Sequence, residues 1–230
     1  MKFVKASYEI LTDVDGQEIL KRLETATRVA YKSENKIKDG SAEELMKKIV
    51  HKLHHESVLE HESVSVRIIC DRGVSHELVR HRLASFTQES TRYCNYTKNI
   101  FDNEMRFIVP CWFDETLKEK MLNGEFDTLE NIDKVDIENK GAFVYWWSAM
   151  QRAEHLYGEL IKNAGWSAQQ ARSILPNSLK TEIVTTANLR EWRTIFKLRT
   201  NPSSHAQMRE ITIPLLEEFK RKIPIIFDDL

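Results

Sequence analysis

The chain has 230 residues with 34 basic and 35 acidic side chains, and this balance argues against a protein that coats nucleic acid or an anionic membrane surface. No stretch reaches the roughly 18 apolar residues of a membrane span, and the first residues lack the apolar run of a signal peptide. The three cysteines, Cys70, Cys94 and Cys111, are odd in number and widely spaced, which indicates reduced thiols, so we expect a soluble cytoplasmic protein.

The N-terminal part of the chain predicts a strand followed by helices. Residues 3–11 partly alternate between apolar and polar side chains, as in a strand, and an apolar stripe with helical spacing follows Gly16. Ser41 and Glu44 have the spacing of a capping box at the start of a second helix. The opening is therefore a strand and two helices.

The next segment predicts a second strand that leads into the most unusual part of the sequence. Residues 64–69 alternate, the strand is expected to end at Asp71, and Gly73 marks the break into a helix that carries Arg80. The pattern places the segment 80–93 at a passage from strand to helix to loop.

The C-terminal part predicts long helices and further strands. Residues 106–109 favour a short strand, 113–140 a charged exposed insertion or helical hairpin, and 142–161 a long helix with a wide apolar stripe for a core or a subunit interface. The remaining pattern predicts a short helix capped by Ser167, a strand at 178–187, and helices at 188–199 and 206–222. We expect an α+β fold: a single domain of residues 1–230 with a central antiparallel sheet.

The segment 80–93 combines three arginines with a histidine and several hydroxyl and amide groups. Guanidinium groups supply forked donors of fixed geometry and stay charged, so together with short polar side chains they suit a phosphate and a planar heterocycle. This composition predicts a nucleotide site. The alternative is a set of solvated arginines at the end of a helix.

Periodicity divides this segment into two parts. A helix turns about 100° per residue, so Arg80, His81 and Arg82 on a helix would point in diverging directions. In an extended segment Gln88, Ser90 and Arg92 would share one face. We therefore expect a diverging helical part and an extended part that faces a nucleotide.

Glycine-rich phosphate loops are absent from the sequence, since neither a Gly-x-Gly-x-x-Gly nor a Gly-x-x-x-x-Gly-Lys motif occurs among its seven glycines. Side chains would therefore have to neutralise any bound phosphate. The C-terminal third contains further candidates for a nucleotide site, although each of them taken alone is best interpreted as a surface group. They are Arg172, Asn188, Arg190, Arg199 and His205.

Two other patterns are weaker indications of function, one of a metal site and one of a nucleophile. Three histidines and two glutamates lie between His54 and His61, but they lack the His-Glu-x-x-His spacing of a helical zinc site, so we predict no metal. Polar lining of a pocket is a better interpretation, and histidines that are satisfied in the core or at a helix end are a better one still. Cys111 follows Pro110 and could supply a thiolate nucleophile, yet no base lies near it in sequence. A small buried side chain is the simpler interpretation of Cys111.

The order Arg80-His81-Arg82, seven residues, Ser90 resembles the motif of the flavin-dependent thymidylate synthases. The resemblance extends over about residues 50–210, through the neighbouring blocks His55-Glu56-Ser57, Glu60-His61, Arg172, Asn188, Arg190, Leu198-Arg199 and Ser204-His205-Ala206-Gln207. The chain differs from the common family pattern at Glu77, Thr87 and Thr194.

This resemblance implies conversion of dUMP to dTMP, with 5,10-methylenetetrahydrofolate as carbon donor, FAD as hydride carrier and NADPH as reductant. It also implies a homotetramer with active sites at subunit junctions, and His55 as a residue that helps to accept the folate. The residues implied for FAD are Ser57, Arg80, His81, Arg82, Gln88, Asn188, Arg190 and Thr194. Those implied for dUMP are Glu77, Arg80, Gln88, Glu89, Ser90, Thr91, Arg92, Arg172 and Arg199.

The chemistry of uracil suggests catalytic roles for two of these residues. The C5 carbon is a poor nucleophile until negative charge enters the ring, and a cation at the pyrimidine edge favours that charged form. Arg199 is the candidate cation, and Ser90 is expected beside the substrate without acting as a covalent nucleophile. No enzyme cysteine is expected to attack the ring.

Two rival functions remain open at this point. A metal-dependent nucleotide phosphohydrolase would use the histidines and carboxylates of residues 54–61 as ligands and the arginines for phosphate. An RNA-binding module would stack bases on Phe86 and Tyr93, although the balanced net charge argues against it.

Overall fold

The computed structural model describes residues 1–126, 131 and 140–230. These residues form two compact units, each built from several stretches of the chain. The first unit comprises residues 1–7, 69–78 and 88–183, and the second comprises residues 8–68, 79–87 and 184–230.

The described chain contains both helices and strands, in agreement with the α+β prediction. The strands are β1 (Lys2–Val4), β2 (Ser7–Ile10), β3 (Ser63–Asp71), β4 (Ala84–Gln88), β5 (Arg106–Ile108) and β6 (Lys180–Asn188). The helices are α1 (Gly16–Tyr31), α2 (Ser41–Met46), α3 (Arg72–Leu78), α4 (Glu115–Leu122), α5 (Lys140–Lys162), α6 (Ala168–Ala171), α7 (Leu189–Arg199), α8 (Ala206–Lys222) and α9 (Pro224–Phe227). Among them, none is both long and apolar enough to cross a bilayer.

The larger sheet has four strands in the order β2-β3-β6-β4. Strands β3 and β6 run antiparallel, because the Leu189 N–H donates to the Glu62 carbonyl (2.9 Å) at one end and the Arg72 N–H donates to the Asn177 carbonyl (2.9 Å) at the other. The predicted antiparallel sheet is confirmed for this pair. A second sheet joins β1 and β5 in parallel, with Phe3 opposite Phe107.

Aromatic side chains of α5 fill the core of the first unit. Phe143, Trp147 and Tyr157 are fully buried, and the Trp147 ring N–H donates to the Phe126 carbonyl at 3.0 Å. Two residues of α4, Leu117 and Met121, are buried in the same cluster. The first part of the predicted insertion 113–140 therefore contributes to the core, while most of its remainder lies outside the described residues.

A second aromatic cluster, from α7, α8 and α9, forms the core of the second unit. Trp192 stacks on Phe196, and Phe219 and Phe227 meet edge to face. A Cβ atom on Gly16 would lie 2.0 Å from the Lys222 carbonyl oxygen, so only glycine allows the start of α1 to approach the end of α8 this closely.

Two local predictions in the N-terminal part are wrong. The predicted strand 3–11 is divided into β1 and β2, which belong to different sheets. The predicted capping box of Ser41 is absent: Gly40 is the N-cap, with φ of +78°, and the Ser41 hydroxyl instead donates to the Lys38 carbonyl at 2.7 Å. A buried Glu24 oxygen lies 3.0 Å from the same hydroxyl, which ties it to α1.

Candidate functional site

The arginine-rich segment forms turns where the sequence predicted a helix. Helix α3 ends at Leu78, so the prediction that Arg80, His81 and Arg82 lie on a helix is wrong. Both arginines are exposed, whereas His81 is buried at 6% exposure. The three side chains do diverge, but the cause is a turn that directs the histidine inward.

The extended part of the segment is also shorter than predicted. Strand β4 ends at Gln88, and residues 91–93 form a turn in which the N–H groups of Tyr93 and Cys94 both donate to the Ser90 carbonyl. The prediction that Gln88, Ser90 and Arg92 share one extended face is therefore wrong. A turn closed on one carbonyl cannot keep the two-residue alternation of a strand.

Buried His81 contacts two charged residues of α7. The Arg199 Nε–H donates to His81 Nε2 at 3.0 Å, and His81 Nδ1 lies 3.4 Å from Glu191 Oε1. Burial, helped by the charge of Arg199, lowers the pKa of His81 to about 4. Burial also raises the pKa of Glu191. At neutral pH the imidazole is therefore uncharged and can accept the hydrogen bond from Arg199.

The sequence around Asn188 explains why α7 can present these groups. Asn188 is the N-cap, and its Oδ1 accepts from the Glu191 N–H at 2.8 Å, which fixes the first turn of the helix. Arg199 is the last residue of α7, where the Thr212 hydroxyl donates to its carbonyl at 2.9 Å. Both ends of the helix are thus anchored close to the two side chains that contact His81.

The remaining residues implied for FAD lie in the second unit, except Gln88. Ser57 is exposed in a short 3₁₀ helix, Glu56–His61, and lines an open groove of about 420 Å³ together with His55 and Glu60. Arg190 donates to Glu60 Oε1 at 2.5 Å, and the Thr194 hydroxyl donates to the Arg190 carbonyl at 3.3 Å. The unit therefore brings the N-terminal turns of α7 together with the segment of Ser57.

Most residues implied for dUMP lie in the first unit, namely Glu77, Gln88, Glu89, Ser90, Thr91, Arg92 and Arg172. Gln88 Nε2 donates to the hydroxyls of Ser75 (2.8 Å) and Thr181 (3.1 Å). Arg92 Nε donates to Gln169 Oε1 at 2.8 Å, so this arginine reaches α6, which immediately precedes the exposed Arg172. Thr91 is buried within the turn.

Glu89 stabilises the turn 90–93 through hydrogen bonds within the protein. The Tyr96 hydroxyl donates to Glu89 Oε1 at 2.8 Å, and the Lys180 ammonium donates to Oε2 at 3.0 Å. The Glu89 N–H donates to the Glu182 carbonyl at 2.8 Å, which joins the residue to β6. The carboxylate implied for dUMP binding is thereby used to hold the start of the turn 90–93.

Replacing Glu89 by glutamine is expected to lower the free energy of unfolding by about 1–3 kcal/mol, because the neutral amide weakens two hydrogen bonds to a nearly buried group. The matched control is Glu182→Gln, which removes the other carboxylate bound by Lys180. Its side chain is 41% exposed against 13% for Glu89, so we expect a change below about 1 kcal/mol. Urea unfolding followed by circular dichroism measures both, and equal losses would contradict the role given to Glu89.

Several residues that build these clusters are not apparent from the sequence. Glu191, Lys180 and Tyr96 lie outside the motifs that carry the family resemblance. Glu191 follows Asn188 by three residues, a spacing that predicts a helix start and gives no sign of a contact with His81.

The described part of the chain contains no candidate metal cluster, and two of its three thiols have raised pKa values. Burial raises the pKa of Cys70 far above its usual range, and burial together with Glu89 raises the pKa of Cys94. Cys111 is half-buried in a turn after Pro110. Within residues 1–126, 131 and 140–230, no group of three or more His, Cys, Asp or Glu side chains could hold a metal ion.

Solved structures share this fold. A UMP/dUMP methylase, PolB, from Streptomyces cacaoi, bound to 5-bromo-dUMP, superposes with a TM-score of 0.73 and 23% identity, covering 99% of this chain and 96% of PolB. Thymidylate Synthase X from Helicobacter pylori, with FAD and dUMP, has a TM-score of 0.69 and 20% identity, covering 97% of this chain and 98% of that one. At this identity the likeness shows the fold.

Sequence comparison identifies the family, which similarity of fold alone does not. The flavin-dependent thymidylate synthase of Pyrococcus furiosus is 34% identical over 169 residues, which cover 73% of this chain and only 59% of the relative. That of Corynebacterium efficiens is 30% identical over 222 residues, or 95% of this chain and 81% of the relative. The model of the thymidylate synthase complementing protein family matches residues 12–225. The chain therefore belongs to the family of flavin-dependent thymidylate synthases.

Proposed function

We propose that this protein is an FAD-dependent thymidylate synthase that methylates dUMP to dTMP. The observation that carries the proposal is the arginine held by the family motif: Arg199 donates to buried His81 of Arg80-His81-Arg82. An arginine that is held by such a hydrogen bond can stabilise charge that develops on a pyrimidine ring. Relatives named for this activity and a related structure with FAD and dUMP support the proposal.

The donors of the second unit fit a flavin nucleotide. Arg80 and Arg82 are exposed and can neutralise a pyrophosphate that no glycine loop would hold, and the groove beside Ser57 offers hydroxyl and imidazole groups. We propose that these residues, with Gln88, Asn188, Arg190 and Thr194, hold FAD. When bound, FAD supplies the hydride chemistry. Side chains of the protein bind and orient the reactants.

The nucleotide is proposed to bind to the residues around the turn 90–93. Arg92 and Arg172 supply positive charge for its phosphate, and Gln88 and Ser90 supply polar groups for the base and sugar. Arg199 lies at the pyrimidine edge, where its charge stabilises the enolate-like form of the ring that makes C5 nucleophilic. Glu77, Arg80 and Thr91 complete the proposed dUMP set, and Glu89 supports it by holding the turn that follows Ser90.

Further parts of the proposal follow the family. The carbon donor is 5,10-methylenetetrahydrofolate, bound with the help of His55, and the reductant is NADPH. The protein acts in the cytoplasm as a homotetramer with active sites at subunit junctions. Residues 1–230 are proposed to be a single catalytic domain, which is supported by a family match that runs from residue 12 to 225.

Anaerobic turnover with the purified protein tests the proposal directly. The protein is expected to be yellow, to be bleached by NADPH, and to form dTMP when dUMP and methylenetetrahydrofolate are both present. UMP in place of dUMP tests whether the 2′-hydroxyl is tolerated. No dTMP under these conditions refutes the proposal. Metal-dependent phosphate release by a colourless protein would support a phosphohydrolase, and tight, salt-sensitive oligonucleotide binding would support an RNA-binding module.

Replacing Cys111 by alanine is expected to leave kcat within about twofold of the wild type, because the proposed chemistry uses no enzyme thiolate. Cys94→Ala is the matched control, since the pKa of Cys94 is already raised and its thiol is protonated at neutral pH. Rates of dTMP formation measure both variants. A folded, flavin-containing Cys111→Ala protein without activity would instead support covalent attack by the thiol.

A further inference from the structure

The two ring nitrogens of His81 are both engaged by the protein. Arginine stays protonated and has no acceptor atom, so its Nε–H must donate to a lone pair on His81 Nε2. The proton of the neutral imidazole is therefore on Nδ1, which lies 3.4 Å from Glu191 Oε1. Glu191, His81 and Arg199 thus form a line in which Arg199 donates to one ring nitrogen of His81 and the Glu191 carboxylate lies 3.4 Å from the other.

This line constrains the direction of the Arg199 guanidinium. The contact is made through Nε, the guanidinium nitrogen nearest to the backbone, so it holds the base of the planar group from which the terminal nitrogens extend. His81 has 5% and Glu191 8% of its side chain exposed, so water competes little for these contacts. The carbonyl of Arg199 accepts from the Thr212 hydroxyl, which fixes the backbone at the same point. The Arg199 residue is thus held at its backbone carbonyl and at Nε.

We propose that Glu191 is a positioning residue for the reaction, which holds His81 in its Nδ1–H tautomer so that His81 orients Arg199 toward the pyrimidine. The inference rests on the proposed function. It also gives the His81 ring a role toward Arg199, in addition to the FAD contact that the family resemblance implies. The low pKa of His81 agrees with a neutral ring at working pH. A positive imidazole would present a second N–H to Arg199 and break the line.

Kinetics of Glu191 variants separate positioning from folding. Glu191→Ala is expected to lower kcat about 10- to 100-fold, with the KM for dUMP and the bound FAD changed less than about threefold, because a misplaced catalytic group costs rate without loss of ligand contacts. Glu191→Gln keeps an oxygen that accepts the Nδ1–H, so it should recover activity to within about fivefold of the wild type. Lys197→Ala, an exposed change on the same helix, is the control and should match the wild type.

The tautomer itself is measurable by ¹⁵N–¹H NMR of the imidazole, with the His81 signals assigned by their loss in His81→Gln. The wild type should show the Nδ1–H form, and Glu191→Ala should show the other tautomer or an exchange between both. A wild-type enzyme without dTMP formation refutes the proposed function. An active wild type that shows Nε2–H, or a Glu191→Ala variant with normal kcat, refutes the positioning role alone. If Glu191→Ala does not fold, an inactive but folded Glu191→Gln with FAD bound also refutes it.

Discussion

Replacing Arg199 by alanine is expected to lower kcat for dTMP formation about a thousandfold while the protein keeps its flavin. The physical reason is that the guanidinium is proposed to stabilise charge that appears on the uracil ring only as C5 becomes nucleophilic. An interaction made mainly in the transition state affects kcat more than ground-state binding. The expected KM change for dUMP is therefore small.

Arg199→Lys is the informative comparison for this experiment. Lysine keeps the positive charge but lacks the planar fork and the Nε–H that reaches His81. If charge alone mattered, the lysine variant would approach wild-type rates. With orientation also required, we expect an intermediate loss of about 10- to 100-fold.

Single-turnover rates under anaerobic conditions and the visible absorption of each purified variant provide the measurements. The flavin content of Arg199→Ala should equal that of the wild type within error. Complete loss of FAD together with normal dUMP affinity would contradict the role of Arg199 and would place this residue in the flavin site.

Long periodic helices are the part of this fold that sequence patterns predict best. The pattern at 206–222 coincides with α8, and the stripe at 142–161 corresponds to α5, because many apolar positions at helical spacing leave few alternatives. The helix at 188–199 is confirmed as α7, and its polar start at Asn188 is a strong N-cap. Such signals are local and need no knowledge of the partner elements.

The short segment around His81 was harder to predict for a physical reason. Its conformation depends on the burial of one imidazole between the two ends of α7, more than 100 residues away in sequence. Local helix propensity does not reflect a contact between residues so far apart in sequence. The sequence pattern therefore predicts that Arg80-His81-Arg82 continue helix α3. The motif identifies the family, whereas the geometry of its histidine depends on Glu191, which no motif includes.

Glu89 is a second case in which the sequence does not predict the contacts of a side chain. Its place beside Ser90 suggests a residue that contacts ligand, and its carboxylate in fact binds Tyr96 and Lys180. Charged residues in a functional motif can thus act by supporting the backbone that carries the binding groups. The resemblance gives the position of such a residue, and only the structure gives the direction of its side chain.

Replacing Arg193 by methionine is expected to lower the free energy of unfolding by about 3 kcal/mol, the largest stability loss that we predict. The Arg193 side chain is 1% exposed and donates to both oxygens of Asp229 (2.6 Å each), to Glu56 at 3.1 Å and to the Ile226 carbonyl. Methionine fills the space but satisfies none of these acceptors. The change therefore releases the segment that follows α9 from α7.

Arg190→Met is the matched control, because it makes the same change on the same helix. Its ion pair with Glu60 is about half exposed on both sides, so we expect a loss below about 1 kcal/mol. Urea unfolding of both variants at neutral pH measures the difference. Equal losses would mean that burial of the Arg193 network adds nothing to stability.

The pH dependence of unfolding gives an independent check on the same network. The hydrogen bond from Arg193 lowers the pKa of Asp229 below its ordinary value. In the unfolded chain this carboxyl titrates at a pH of about 4. Its contribution to the free energy of unfolding is therefore complete above that pH and is lost as the pH falls through the lowered pKa of the folded state. Arg193→Met removes the cause of the shift. The difference in unfolding free energy between wild type and variant should therefore shrink as the pH is lowered from about 5 to 2, and a constant difference over this range would contradict the pairing.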